Sequence, residues 1–172
     1  DLNIVSSTLD GWFFLELLAN QNTTITVGTG SSATGDTYNF GLASNADRKL
    51  GGLQSGMLNP TIGFYFTNNT GNPITSLAIT YTGETWRIGT TNRIDRLDFQ
   101  YSTDAISLNT GSWSDFNALD YENPGQATGS GAVQHSATIS ATITGINIAV
   151  GANFFIRWSD FNAIGAEDGM AI

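Results

Sequence analysis

The sequence predicts an all-β fold, an antiparallel β-sandwich with jelly-roll-like wiring. Three observations predict it. Short runs rich in β-branched and aromatic residues alternate apolar with polar at a period of two. Glycine, asparagine and proline clusters interrupt those runs at close intervals. Charge is sparse, and the polar faces are built from Thr, Ser and Asn.

Taken in order, residues 12–19 (WFFLELLA) are apolar on every side and fit either a helix or a strand buried on both faces. Residues 23–28, 61–67, 74–82, 96–102, 136–144 and 153–159 read as strands. Turns are expected at residues 28–35, 68–73, 109–111, 123–125 and 129–131. Residues 121–134 (YENPGQATGSGAVQ) lack periodicity and are expected to form a long mobile loop. No linker or shift of composition divides the chain, so residues 1–172 are expected to fold as one domain.

Composition excludes several function classes. Six Lys and Arg against fifteen Asp and Glu give a net charge of -9. A chain so poor in clustered cations is not expected to bind nucleic acid or anionic membranes. There are no cysteines, so disulfide and thiolate chemistry are absent, a condition compatible with export. No run of about 18 apolar residues occurs, because Glu16 interrupts the one apolar patch, and neither a membrane-spanning helix nor a complete signal peptide is expected. The low-charge, hydroxyl-rich surface predicts an extracellular or cell-surface location. Asn22 and Asn68 each head an N-glycosylation sequon.

The hexapeptide WSDFNA occurs at residues 113–118 and again at 158–163. Its flanks differ, which predicts one local device used twice, a strand end burying Trp and then a turn whose Asp and Asn oxygens cap backbone N–H groups; the alternative is a pair of ligand-contacting loops.

The strings DRKLGGLQSG, TIGFYFTNNTGNPITSLAITYTGETWR, RLDFQYSTDA, GSWSDFNALD, ISATITGINI and FFIRWSDFNAIGAEDGMAI together resemble a β-sandwich accessory module of large exported bacterial proteins. In those proteins the module accompanies nuclease-like, lamin-tail-like, adhesin-like or sorting-signal regions. The resemblance runs from about Gly11 to the last residue and implies fold and location; it implies no activity. Members run on past the acidic glycine turn, here Glu167–Gly169, through a strand resembling GLAIDDFSL, whereas this sequence stops at Ile172. The sequence is therefore a fragment, or its last strand is short or supplied by something else.

Catalysis is not expected. The single histidine, His135, has no nucleophile elbow to serve. The alternate carboxylates Asp120 and Glu122 could form a glycosidase pair, but beside Pro124 and Gly125 they read as a solvated turn. Arg93, Asp95, Arg96 and Asp98, with Glu84 and Arg87, read as a cross-strand ion-pair ladder on an edge. Calcium is the expected cofactor, a structural ion held by Asp160, Asn162, Glu167 and Asp168, with Asp10 or Asp36 completing the shell.

Trp86 and Trp113 lie in polar contexts and are the expected ligand-stacking residues. These features together predict a non-catalytic extracellular module that recognises carbohydrate or matrix polymer. The alternative is a structural subunit that polymerises into a surface filament, residues 1–9 of one copy adding a strand to the next. A glycan-active enzyme is the third reading.

Overall fold

The computed structural model describes residues 3–4, 11–124 and 127–172. Two sheets face each other. The first contains β1 (Asn3–Ile4), β2 (Trp12–Leu17), β6 (Asn59–Thr67), β12 (Asn153–Asp160), β8 (Asp95–Ser102) and β10 (Tyr121–Asn123) in that spatial order, and β9 (Ser114–Asp115) also pairs with β8. The second runs β11 (Gly129–Ile148), β7 (Ile74–Ile88), β13 (Gly169–Ala171), β5 (Lys49–Leu53), β4 (Asp36–Phe40) and β3 (Thr26–Gly28). The chain crosses between sheets repeatedly, as a sandwich of jelly-roll type does.

Pairing is antiparallel except between β3 and β4, which run parallel. Residues 12–17 are a strand: the period of two buries Phe14 and Glu16 inward. Pairing with β6 along Trp12 to Leu17 supplies the backbone partners that settle strand over helix.

The main core lies between the sheets. Phe14, Ile62, Phe99, Tyr121, Ile143 and Trp158 are fully or almost fully buried there. Residues of even number on β2, β6 and β12 point into it; Phe13, Tyr65, Phe155 and Arg157 stand on the outer face, as the alternation of a strand requires.

The loop expected at residues 121–134 is corrected. Tyr121 and Asn123 are completely buried and pair with Leu97 and Asp95, while β11 begins at Gly129. Burial of the Tyr121 ring outweighs the weak local propensity. That ring packs where a side chain on residue 83 would lie: a Cβ on Gly83 would come within 2.2 Å of it. Of the expected loop, residues 125 and 126 lie outside the described residues.

Asn68 is also not a surface sequon. Its side chain is buried and donates to the carbonyls of Asn72 and Ile148, both at 2.8 Å. Its oxygen accepts from the Thr70 N–H and hydroxyl. Asn22 is exposed.

Candidate functional site

Strand ends bring four carboxylates to one end of the sandwich. Asp95 starts β8, Asp160 ends β12, and Glu167 and Asp168 precede β13; all four are buried. One guanidinium faces three of them: Arg93 pairs with Asp95 at 3.0 Å, Glu167 at 3.3 Å and Asp168 at 3.5 Å. Asp168 further accepts from the Gly89 N–H at 2.7 Å and from the Asn123 amide, and its own N–H donates to Asp95 at 2.9 Å.

Burial dominates the electrostatics here. It lifts Asp160 well above the ordinary carboxylate range, and Asp95 and Glu167 push in the same direction. Glu167 is raised to about 7 by burial and then by Asp95, against the pull of Arg93. Asp168 is raised by burial and held back by the Gly89 and Asn123 donors.

The expected calcium ligands are thus partly gathered. Asp160, Glu167 and Asp168 share this end, but Asn162 is exposed. Asp36 lies apart on β4, bonded to the Thr26 hydroxyl and the Asn22 amide, and Asp10 lies outside the described residues. Among the described residues no three carboxylates or imidazoles stand in metal-holding geometry, and Arg93 pairs with three of these carboxylates. Asp160 Oδ1 and Gln54 Oε1 are buried oxygens with no hydrogen-bond partner, and the Gln54 N–H already donates to Asp160 Oδ2 at 3.1 Å.

The ion-pair ladder is corrected too. Arg93–Asp95 and Arg96–Asp98 pair within one segment, not across strands, and β8 lies inside its sheet between β12 and β10. Asp120 accepts from the Phe99 N–H at 2.8 Å, and Glu122 is exposed, so the two carboxylates line no common cleft. His135 lies on β11, opposite Thr85, with Nδ1 3.0 Å from the Tyr121 hydroxyl.

Neither expected stacking tryptophan is a free platform. Trp86 is 4% exposed and sits in a second core with Tyr38, Phe40 and Leu53. Its ring stacks on Phe40 and its N–H reaches Glu84 at 3.0 Å. Trp113 is half-buried, and the Arg157 guanidinium lies 3.8 Å above its ring. Glu84, a polar neighbour that made Trp86 look exposed, is its partner, and the Trp113 N–H donates to the Thr110 carbonyl at 2.8 Å.

The two WSDFNA copies likewise differ. Trp158 points into the main core, whereas Trp113 packs outside the first sheet. Asp115 accepts from the Gln100 side chain and Asp160 from the Gln54 backbone, so the common capping turn is not formed.

The groove that strand addition requires lies beside β7, a position the sequence reading did not assign. β13 flanks β7 only from Arg87 to Glu84. Among the described residues, β7 has no strand on this side between Gly83 and Ile74, although β11 pairs along its other edge. The resulting cleft, about 640 Å³, is lined by Leu77, Ile79 and Tyr81 of β7 and by Trp12, Phe64 and Phe66 of the facing sheet. Phe66 is 36% exposed. Ile172 closes one end, in line with β13. The alternation of apolar and hydroxyl residues along β7 was the available signal.

No family model, curated protein or solved structure matches this chain. Fold and site together define an all-β sandwich with a strand-wide apolar groove at one sheet edge. No helix of the described residues is long and apolar enough to cross a membrane.

Proposed function

We propose that this is a non-catalytic extracellular module that assembles by accepting an extended strand into the groove beside β7. The observation that carries the reading is the coincidence, among the described residues, of an unpaired backbone edge with an apolar floor. The backbone N–H and C=O groups that residues 74–83 turn away from β11 have no strand partner among the described residues, and an extended peptide supplies partners in register. The floor of Trp12, Phe64 and Phe66 then accepts every second side chain of that strand.

The polarity of the guest follows from β13, which runs antiparallel to β7 at the mouth of the groove. No charged side chain lines the cleft, so the inward residues of the guest are apolar. Within this chain the segment DLNIVSSTL has that pattern, with Leu2 and Ile4 at alternate positions and no charge between Asp1 and Asp10. A second copy donates it. Among the described residues Asn3 and Ile4 pair with Phe14 and Phe13 of β2, a pairing that assembly exchanges for one with β7. The donor and acceptor surfaces differ, so the contact is head-to-tail and builds a filament. The resemblance to exported accessory modules supports the cell-surface location.

Sedimentation of the full chain and of a variant lacking residues 1–8 tests this. Concentration-dependent polymers are expected from the full chain alone, and free DLNIVSSTL peptide is expected to cap them. A monomer at every concentration, or polymers that persist without the segment, would refute strand donation.

A further inference from the structure

We infer that the outer face of the first sheet carries a separate site for a neutral saccharide. Phe13 on β2, Tyr65 on β6 and Phe155 on β12 project from that face, with Phe155 5.0 Å from Tyr65 and 6.1 Å from Phe13 between ring centroids. Phe155 is buried beneath the other two, which are half-exposed. Residues 103–106 wall one side, and the cleft between holds about 460 Å³. That volume is within the roughly 300–1,000 Å³ of small-molecule sites.

The polar groups at the rim are oriented before any ligand arrives. Asp104 Oδ1 accepts from the Ser112 N–H at 2.8 Å and the Ser102 hydroxyl at 2.9 Å, which fixes the carboxylate and leaves acceptor capacity for a ligand hydroxyl. The Ser112 N–H, followed by the Ser102 hydroxyl, holds that carboxyl below its usual range. Asn153 Oδ1 accepts from the Thr67 hydroxyl at 2.8 Å, which fixes at the rim an amide whose N–H₂ is a donor.

An aromatic floor beside one fixed acceptor and one fixed donor suits a sugar ring, whose C–H face stacks while its rim hydroxyls both donate and accept. The ligand is neutral. An anion meets Asp104 and a protein of net charge -9. A cation would meet the Asn153 N–H donors, and the tetramethylammonium arm of the test below separates that class from a sugar. This site lies on the opposite face of the sheet from the strand groove and does not depend on it.

Soluble cello-, laminari-, manno-, xylo- and chito-oligosaccharides are the probes, followed by isothermal titration and by amide chemical shifts of residues 103–106. At least one is expected to bind, with Tyr65→Ala and Asp104→Ala each weakening it roughly tenfold or more. Thr80→Ala, on the exposed face of β7, is the control expected to change nothing. The Asp104 side chain is exposed, so Asp104→Ala is expected to stay folded at the titration temperature, which keeps the test valid if Tyr65→Ala is unstable. The inference is overturned if no probe binds at about 1 mM, if binding survives both substitutions, or if tetramethylammonium occupies the cleft in place of sugar.

Discussion

The side-chain amide of Asn68 donates to the carbonyl of Ile148 at 2.8 Å and so ties the end of β6 in one sheet to the end of β11 in the other. A residue that reads as a glycosylation acceptor is instead a clasp between sheets. Asn68→Ala removes the buried donor to the Ile148 carbonyl, while the Asn72 carbonyl keeps the Thr70 hydroxyl, so it is expected to cost about 2–4 kcal/mol in urea denaturation. Expression in a glycosylating host is expected to modify Asn22 and leave Asn68 bare by mass spectrometry. A full-stability Asn68→Ala variant would remove the clasp from the account.

Trp86 belongs to packing. Truncation to Ala empties the space between Phe40 and Glu84 in the second core and is expected to destabilise by about 3–5 kcal/mol. The same change leaves saccharide affinity unaltered under conditions where the variant is folded. Loss of affinity with intact stability would reassign Trp86 to a binding surface.

The acidic end makes stability depend on pH with an unusual sign. Glu167 is raised to about 7 and Asp160 and Asp168 are raised as well, so the folded chain holds protons that the unfolded chain releases. Stability from these groups is present below the unfolded carboxylate values and falls as pH rises through the folded ones. The melting temperature is therefore expected to drop between pH 5 and pH 8, with Glu167→Gln flattening that drop; a rise over this window in the parent would contradict the assignment.

Calcium, proposed as a structural ion at the same end, competes with those protons. The oxygens open to it are Asp160 Oδ1 and Gln54 Oε1. Millimolar calcium is expected to raise the melting temperature at pH 8 and to have no effect at pH 5, and Asp160→Asn abolishes the shift. An unchanged melt at pH 8 would leave protonation and Arg93 as the only neutralising agents.

The strands were legible because alternation survives in a two-layer fold. Residues 136–144 (SATISATIT) alternate with one face on the core, and β11 follows them. The ends were not legible. β10 and the first turn of β11 carry Gly, Ser and Asn, and are strands because Tyr121 and Asn123 are buried and paired, which is tertiary information.

Trp86 misled for a related reason. Its neighbours Glu84 and Thr85 are polar because one receives the indole N–H and the other bonds the Tyr121 hydroxyl at 2.9 Å, so polar context marked satisfied burial. Of the acidic end, Asp160, Glu167 and Asp168 were readable as a short run. Asp95 and Arg93 join them only because β8 and β12 are adjacent. That an apolar groove would stand open to an added strand was an expectation of the sequence; its place beside β7 was not, since that is set by which strand β13 flanks.

Strand acceptance beside β7 is tested most directly by amide hydrogen exchange across residues 74–83, compared between dilute and concentrated protein. The account predicts that the amides on the open edge are unprotected when dilute and gain protection on assembly, while those paired with β11 stay protected throughout. Open-edge amides that exchange at the same rate in both states would contradict it.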